Sequence, residues 1–213
     1  MSLFLGTIHH WLFRKIRLSE AMEQRILDVA RDAGLPVDGF EQEAAQLFEA
    51  PLPDASLESL IDRQNIHGWL QHRIQQAESR QAFYVTRVLS YQPELKTSLL
   101  TLYQLQAEEA AAAIDDVPLT PESMVQAIHE YLLEGMPCDR NQTVLENTGR
   151  ILSWQYEPCL HQDYWTAVQG DVSHYYDFRE AWMHTFIKKL QPTWSFCRTS
   201  DGVHLINREG AAS

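Results

Sequence analysis

The sequence predicts an α+β protein in which an N-terminal multi-helix bundle precedes a small antiparallel sheet of hairpin, helix, hairpin form. Three observations carry that prediction. Up to Pro137, apolar residues recur three and four positions apart between helix start and stop signals. Beyond Cys138 the spacing falls to two in two places, one flanking Asn147-Thr148-Gly149 and the other Asp201-Gly202. Between these hairpins, His161 to Leu190 regains helical spacing, with a break near Gly170. The bundle is read over residues 1–136 and the α+β segment over 137–213. The second stretch is short for an independent core, so one integrated fold is expected.

Taken in order, the first helix opens at Ile8 to Ile16 and continues, past an N-cap expected at Ser19, through Met22, Ile26, Leu27 and Ala30 to a stop at Gly34 and Pro36. A short acidic helix from Phe40 to Phe48 leads to the turn Pro51-Leu52-Pro53-Asp54. From Leu57 to Tyr91 the pattern is helical throughout, read as one long helix or as two jointed near Ala77 to Arg80. Gly68 within it costs about 1 kcal/mol relative to alanine, which points to a close approach to the backbone there. Pro93 opens the next helix, which ends at Asp115-Asp116-Val117-Pro118, and Thr120-Pro121 opens another that runs to Gly135. The predicted strands are Thr143 to Glu146, Arg150 to Glu157, Trp194 to Arg198 and Val203 to Ile206.

Composition narrows the function. With 213 residues and 45% hydrophobic content the chain can bury a sizeable core. Its net charge of −12, from 29 acidic against 17 basic residues, argues against nucleic acid and anionic membrane as partners, because both need clustered Lys and Arg. No apolar run approaches the roughly 20 residues that span a bilayer. The N-terminus lacks the pattern of a signal peptide. Three cysteines, Cys138, Cys159 and Cys197, show no disulfide spacing and fit a reducing compartment, so a cytoplasmic location is expected.

The most specific local signal is a repeat. Ile8-His9-His10-Trp11-Leu12 returns as Ile66-His67-Gly68-Trp69-Leu70 at an offset of 66 − 8 = 58, with Lys15, Ile16 and Glu20 meeting Arg73, Ile74 and Glu78. Looser copies stand at Ile128-His129-Glu130-Tyr131-Leu132 and at Met183-His184-Thr185-Phe186-Ile187. Helical projection puts each histidine of the first two copies beside a buried stripe. His9, His67 and His129 are therefore candidate ligands for a transition metal or a haem-like cofactor in a bundle core. The plainer account is shared packing, since the Glu-x-x-His pairs of carboxylate-bridged sites are missing. His184 falls with His174, Asp177 and Glu180 in a polar arc that solvation alone explains.

Two other constellations stand out. Cys159, just ahead of a helix start and near His161, is a candidate nucleophile with His161 as its companion, although residues two apart on a helix do not face each other. Trp154, Tyr156, Trp182 and Trp194 form an aromatic group that either lines a small-molecule pocket or fills the core of a small sheet. There is no Gly-rich phosphate loop, Gly-x-Ser-x-Gly elbow or His-Glu-x-x-His. The reading that follows is a ligand-binding protein, holding a small molecule, metal ion or haem-like cofactor. Its rivals are a cysteine-nucleophile enzyme and a non-enzymatic helical interaction protein that forms a homodimer.

Overall fold

The computed structural model describes residues 5–139 and 141–208. Its helices are α1 (Thr7–Asp32), α2 (Val37–Leu47), α3 (Leu57–Leu60), α4 (Ile66–Tyr91), α5 (Lys96–Ala112), α6 (Pro121–His129), α7 (Gln162–Ala167) and α8 (Ser173–Leu190), and a 3-10 turn at Pro93–Leu95 leads into α5. The strands β1 (Gln142–Asn147), β2 (Ile151–Tyr156), β3 (Trp194–Arg198) and β4 (His204–Arg208) form one antiparallel sheet in the order β1-β2-β4-β3. The fold is therefore α+β, with helices first and a small sheet after them. Among the described residues, no helix is long and apolar enough to cross a membrane.

Contacts gather the chain into two compact units. One takes Met1–Lys96 together with Leu132–Asp139 and His161–Val172; the other takes Thr97–Tyr131, Arg140–Leu160 and Ser173–Ser213. Thus α5 and α6 group with the strands, and α7 groups with the N-terminal helices.

In the first unit the repeated segments lie side by side. Leu12 and Ile16 of α1 share a core with Leu70, Ile74 and Ala77 of α4, closed by Leu52, Leu57, Ile61, Leu133 and Met136. Ile8 does not join this stripe and is 46% exposed, because the shared core begins one turn later, at Leu12. Helix α1 runs unbroken through Ser19, so no cap forms there. It ends where Gly34 takes φ +77°, a left-handed conformation that lets the Leu35 N–H reach the Ala30 carbonyl at 3.0 Å.

The long predicted helix from Leu57 is split, but at Ile61 to Asn65 and not near Ala77 to Arg80. Asn65 caps α4 by accepting the Gly68 N–H at 3.2 Å. That cap explains the glycine: a Cβ on Gly68 would stand 2.2 Å from Asn65 Nδ2. Two substitutions test the pairing. Asn65→Ala should cost about 1 kcal/mol in denaturant titration. Gly68→Ala should destabilise the native protein but become neutral or favourable in the Asn65→Ala background, where helix propensity acts alone. Equal effects of Gly68→Ala in both backgrounds would count against a steric link.

In the second unit both predicted hairpins form, and β2 and β4 join them, with Leu152 opposite Ile206 and Trp154 opposite His204. Leu152, Trp154, Trp194, Phe196 and Ile206 are buried on the sheet, and α8, which packs on β3, buries Trp182, Met183, Phe186 and Ile187. β1 is an edge strand with exposed Val144 and Leu145, and its register shifts between Val144 and Glu146. A bulge of this kind blunts an open edge. Thr120-Pro121 opens α6 as the sequence predicts, and Thr120 and Ser123 cap the helix reciprocally.

Candidate functional site

The first unit carries its charges inside. On α1, Ile16, Glu20, Glu23 and Leu27 follow one another at helical spacing, so both carboxylates share the buried stripe. On α4, Arg73, Ala77, Arg80 and Tyr84 do the same for two guanidiniums. Arg80, only 2% exposed, grips Glu23 with Nε to Oε2 at 2.8 Å and Nη2 to Oε1 at 3.1 Å. It also donates to Glu20 Oε1 at 3.1 Å and to the Glu49 carbonyl at 2.7 Å. Glu20 in turn accepts the Leu52 N–H at 2.9 Å and Arg17 Nη1 at 2.9 Å. Arg73 donates to Glu49 Oε2 at 2.6 Å and to the Ala50 carbonyl at 2.7 Å. The segment Glu49 to Leu52, whose Pro51 has no N–H to donate, is thus fastened to both long helices by side chains.

This network floors a cleft of about 530 Å³, whose lining includes Arg17, Glu23, Glu41, Phe48, Arg80 and Tyr84. Its size falls in the range of small-molecule pockets, about 300–1,000 Å³. Burial pushes the Glu23 carboxyl up to about 8, against the pull of Arg80. The bidentate contact is the geometry of a carboxylate, so Glu23 titrates near neutrality while remaining held. Tyr84 is 6% exposed, and burial, followed by the charges of Glu23 and Glu41, drives its hydroxyl up to about 12. That hydroxyl makes no hydrogen bond to the described residues, and neither does the Glu41 carboxylate. The cleft therefore presents a neutral phenol and a free carboxylate beside apolar walls from Leu27, Ala44 and Phe48.

A second buried cluster lies in the same unit. His161 contacts Glu78 Oε2 through Nδ1 at 3.1 Å and Glu134 Oε1 through Nε2 at 3.2 Å. Burial alone would lower its pKa, but the charges and hydrogen bonds of Glu78 and Glu134 outweigh that and bring it up to about 9.

No protein-family model, curated protein or solved structure matches this chain. The site must be read from its own geometry.

That geometry brings together His9 and His67, whose Nε2 atoms are 3.3 Å apart at the surface. The Gly6 N–H donates to His9 Nδ1 at 2.9 Å, so that nitrogen carries a lone pair and the ring proton sits on Nε2. Burial, then the neighbours His67 and His10, lower the His9 pKa and keep it neutral. Its Nε2–H then points to the His67 Nε2 lone pair. The contact is a hydrogen bond between two helix starts. His129 places Nε2 3.2 Å from the Tyr156 hydroxyl in the second unit. Among the described residues, no group of three or more His, Cys, Asp or Glu side chains is arranged to hold a metal ion.

His161 has carboxylates at both nitrogens and is held protonated, which leaves it no lone pair with which to act as a base for Cys159. The Cys159 sulfur instead accepts the Tyr176 hydroxyl at 2.7 Å, and the Arg198 guanidinium lies over that tyrosine ring at 4.1 Å. The aromatic group is occupied in packing: Trp154 is fully buried and stacks on His204 at 5.3 Å, and Trp182 stacks on Phe186 at 4.7 Å while donating to Gln106 at 3.1 Å. Trp194 is buried on β3, and Tyr156 edges against His204.

The residues that line the cleft were not singled out by the sequence, because an acidic and basic helix face normally means solvent. The available signal was position: Glu20, Glu23 and Arg80 stand on the apolar stripes of their helices, between Ile16 and Leu27 and between Ala77 and Tyr84.

Proposed function

We propose that this protein binds a small organic molecule in the cleft between α1, α2 and α4. The observation that carries the reading is Tyr84, a residue only 6% exposed whose hydroxyl has no hydrogen bond to the described residues, on the wall of a cleft whose floor holds a near-neutral carboxyl. Convergent polar groups with shifted pKa values in an apolar-walled cleft are the usual mark of a binding site. The three free cysteines suit a reducing setting such as the cytoplasm.

Isothermal titration with three probes of one skeleton tests this reading: phenethylamine, phenethyl alcohol and 3-phenylpropionate. At least one should bind saturably at one-to-one stoichiometry. Ala21→Trp, which puts an indole on the exposed α1 rim of the cleft, should weaken that binding about tenfold or more while circular dichroism stays native. Absence of binding by all three probes, or binding that Ala21→Trp leaves untouched, would reject the cleft as the site.

A further inference from the structure

One carboxylate of the lining stands apart from the guanidiniums. Arg80 holds Glu23 and contacts Glu20, Arg17 holds Glu20 from the other side, and Arg73 holds Glu49. Glu41, also in the lining, has no ion pair among the described residues. Glu41 lies within electrostatic reach of Tyr84, whose hydroxyl has no hydrogen bond to the described residues. The walls beside them are an aromatic ring, Phe48, and the aliphatic side chains of Leu27 and Ala44.

We infer that the ligand of this cleft is a small organic cation, an amine or guanidine on an apolar body, whose charged end lies between Glu41 and the Tyr84 hydroxyl. The inference rests on the cleft being the ligand site. An ammonium there finds a carboxylate and a phenol oxygen as acceptors, and the faces of Tyr84 and Phe48 offer the negative side of their ring quadrupoles. An anion of the same size meets the uncompensated charge of Glu41 and a floor whose guanidiniums are already engaged. The guanidiniums also explain why the occupant is not a carboxylate or phosphate: Arg80 directs its donors at Glu23, Glu20 and the Glu49 carbonyl, away from an incoming anion.

The same three probes decide the charge. Phenethylamine should bind at least about fivefold more tightly than the alcohol, and 3-phenylpropionate should bind most weakly. Glu41→Gln should erase the advantage of the amine over the alcohol while circular dichroism and urea titration stay native, which separates loss of charge from damage to the fold. Equal or tighter binding of the alcohol or the acid, still blocked by Ala21→Trp, would overturn the cation assignment and leave the cleft standing as a site. Failure of all three probes to bind would remove the cleft and this inference together.

Discussion

Arg80→Ala is expected to cost about 3–5 kcal/mol of folding stability, the loss typical of breaking a buried ion pair from one side. Alanine removes the guanidinium that holds Glu23, one partner of Glu20 and the donor to the Glu49 carbonyl, and it leaves the nearly buried carboxyls of Glu20 and Glu23 short of a partner. The penalty is the desolvation of what remains, so it should shrink when the remaining charge is removed as well. Urea titration of Arg80→Ala, Glu23→Leu and the double variant Arg80→Met/Glu23→Leu makes the comparison. Most of the loss should return in the double variant, because Arg17 and Arg73 still attend Glu20 and Glu49. A loss below about 1 kcal/mol in Arg80→Ala would place the pair among surface ion pairs of small worth.

The second large effect is on pH dependence. His161 titrates at about 9 in the folded protein against 6.5 for the free side chain. A raised pKa means that the folded state holds the proton more tightly, so the stabilisation is complete below about 6.5 and is lost as pH rises through about 9. At 1.36 kcal/mol per unit the amount is about 3 kcal/mol. Glu23 acts in the same sense at lower pH, its folded value of about 8 standing above 4.5, so the wild-type curve alone would mix the two. Comparison with His161→Gln isolates the histidine. Its deficit relative to wild type should be greatest near pH 6 and should narrow between pH 7 and 10. A deficit that stays constant over that range would show that His161 is not the titrating group.

The elements of the fold were largely legible in the sequence because their signals are local. Thr120-Pro121, Gly34-Leu35-Pro36 and Asp201-Gly202 each specify a start, a stop or a turn through the backbone conformations they allow. The repeat was legible too, and it marks the two helices that share a core. The exact break before α4 was not, because Asn65 acts through a hydrogen bond to a glycine three residues away, inside what reads as continuous helical spacing. The site was hidden for a related reason. A carboxylate looks the same in sequence whether it faces water or a guanidinium from a helix 57 positions later, as Glu23 and Arg80 do. His161 was visible as a residue of interest, but its partners Glu78 and Glu134 come from distant stretches, and only their convergence changes its role from base to cation.

That convergence also bears on how the protein is made. The first unit is assembled from three separate stretches of chain, with residue 161 in the last of them. A ribosome that has released both long helices has not yet delivered the imidazolium that sits against Glu78. Until then the growing chain carries a carboxylate on a helix face meant for burial, and only solvation or protonation can accommodate it. The unit that begins first therefore stays incomplete while most of the chain is made, and that interval is the period in which a holding chaperone has a surface to recognise.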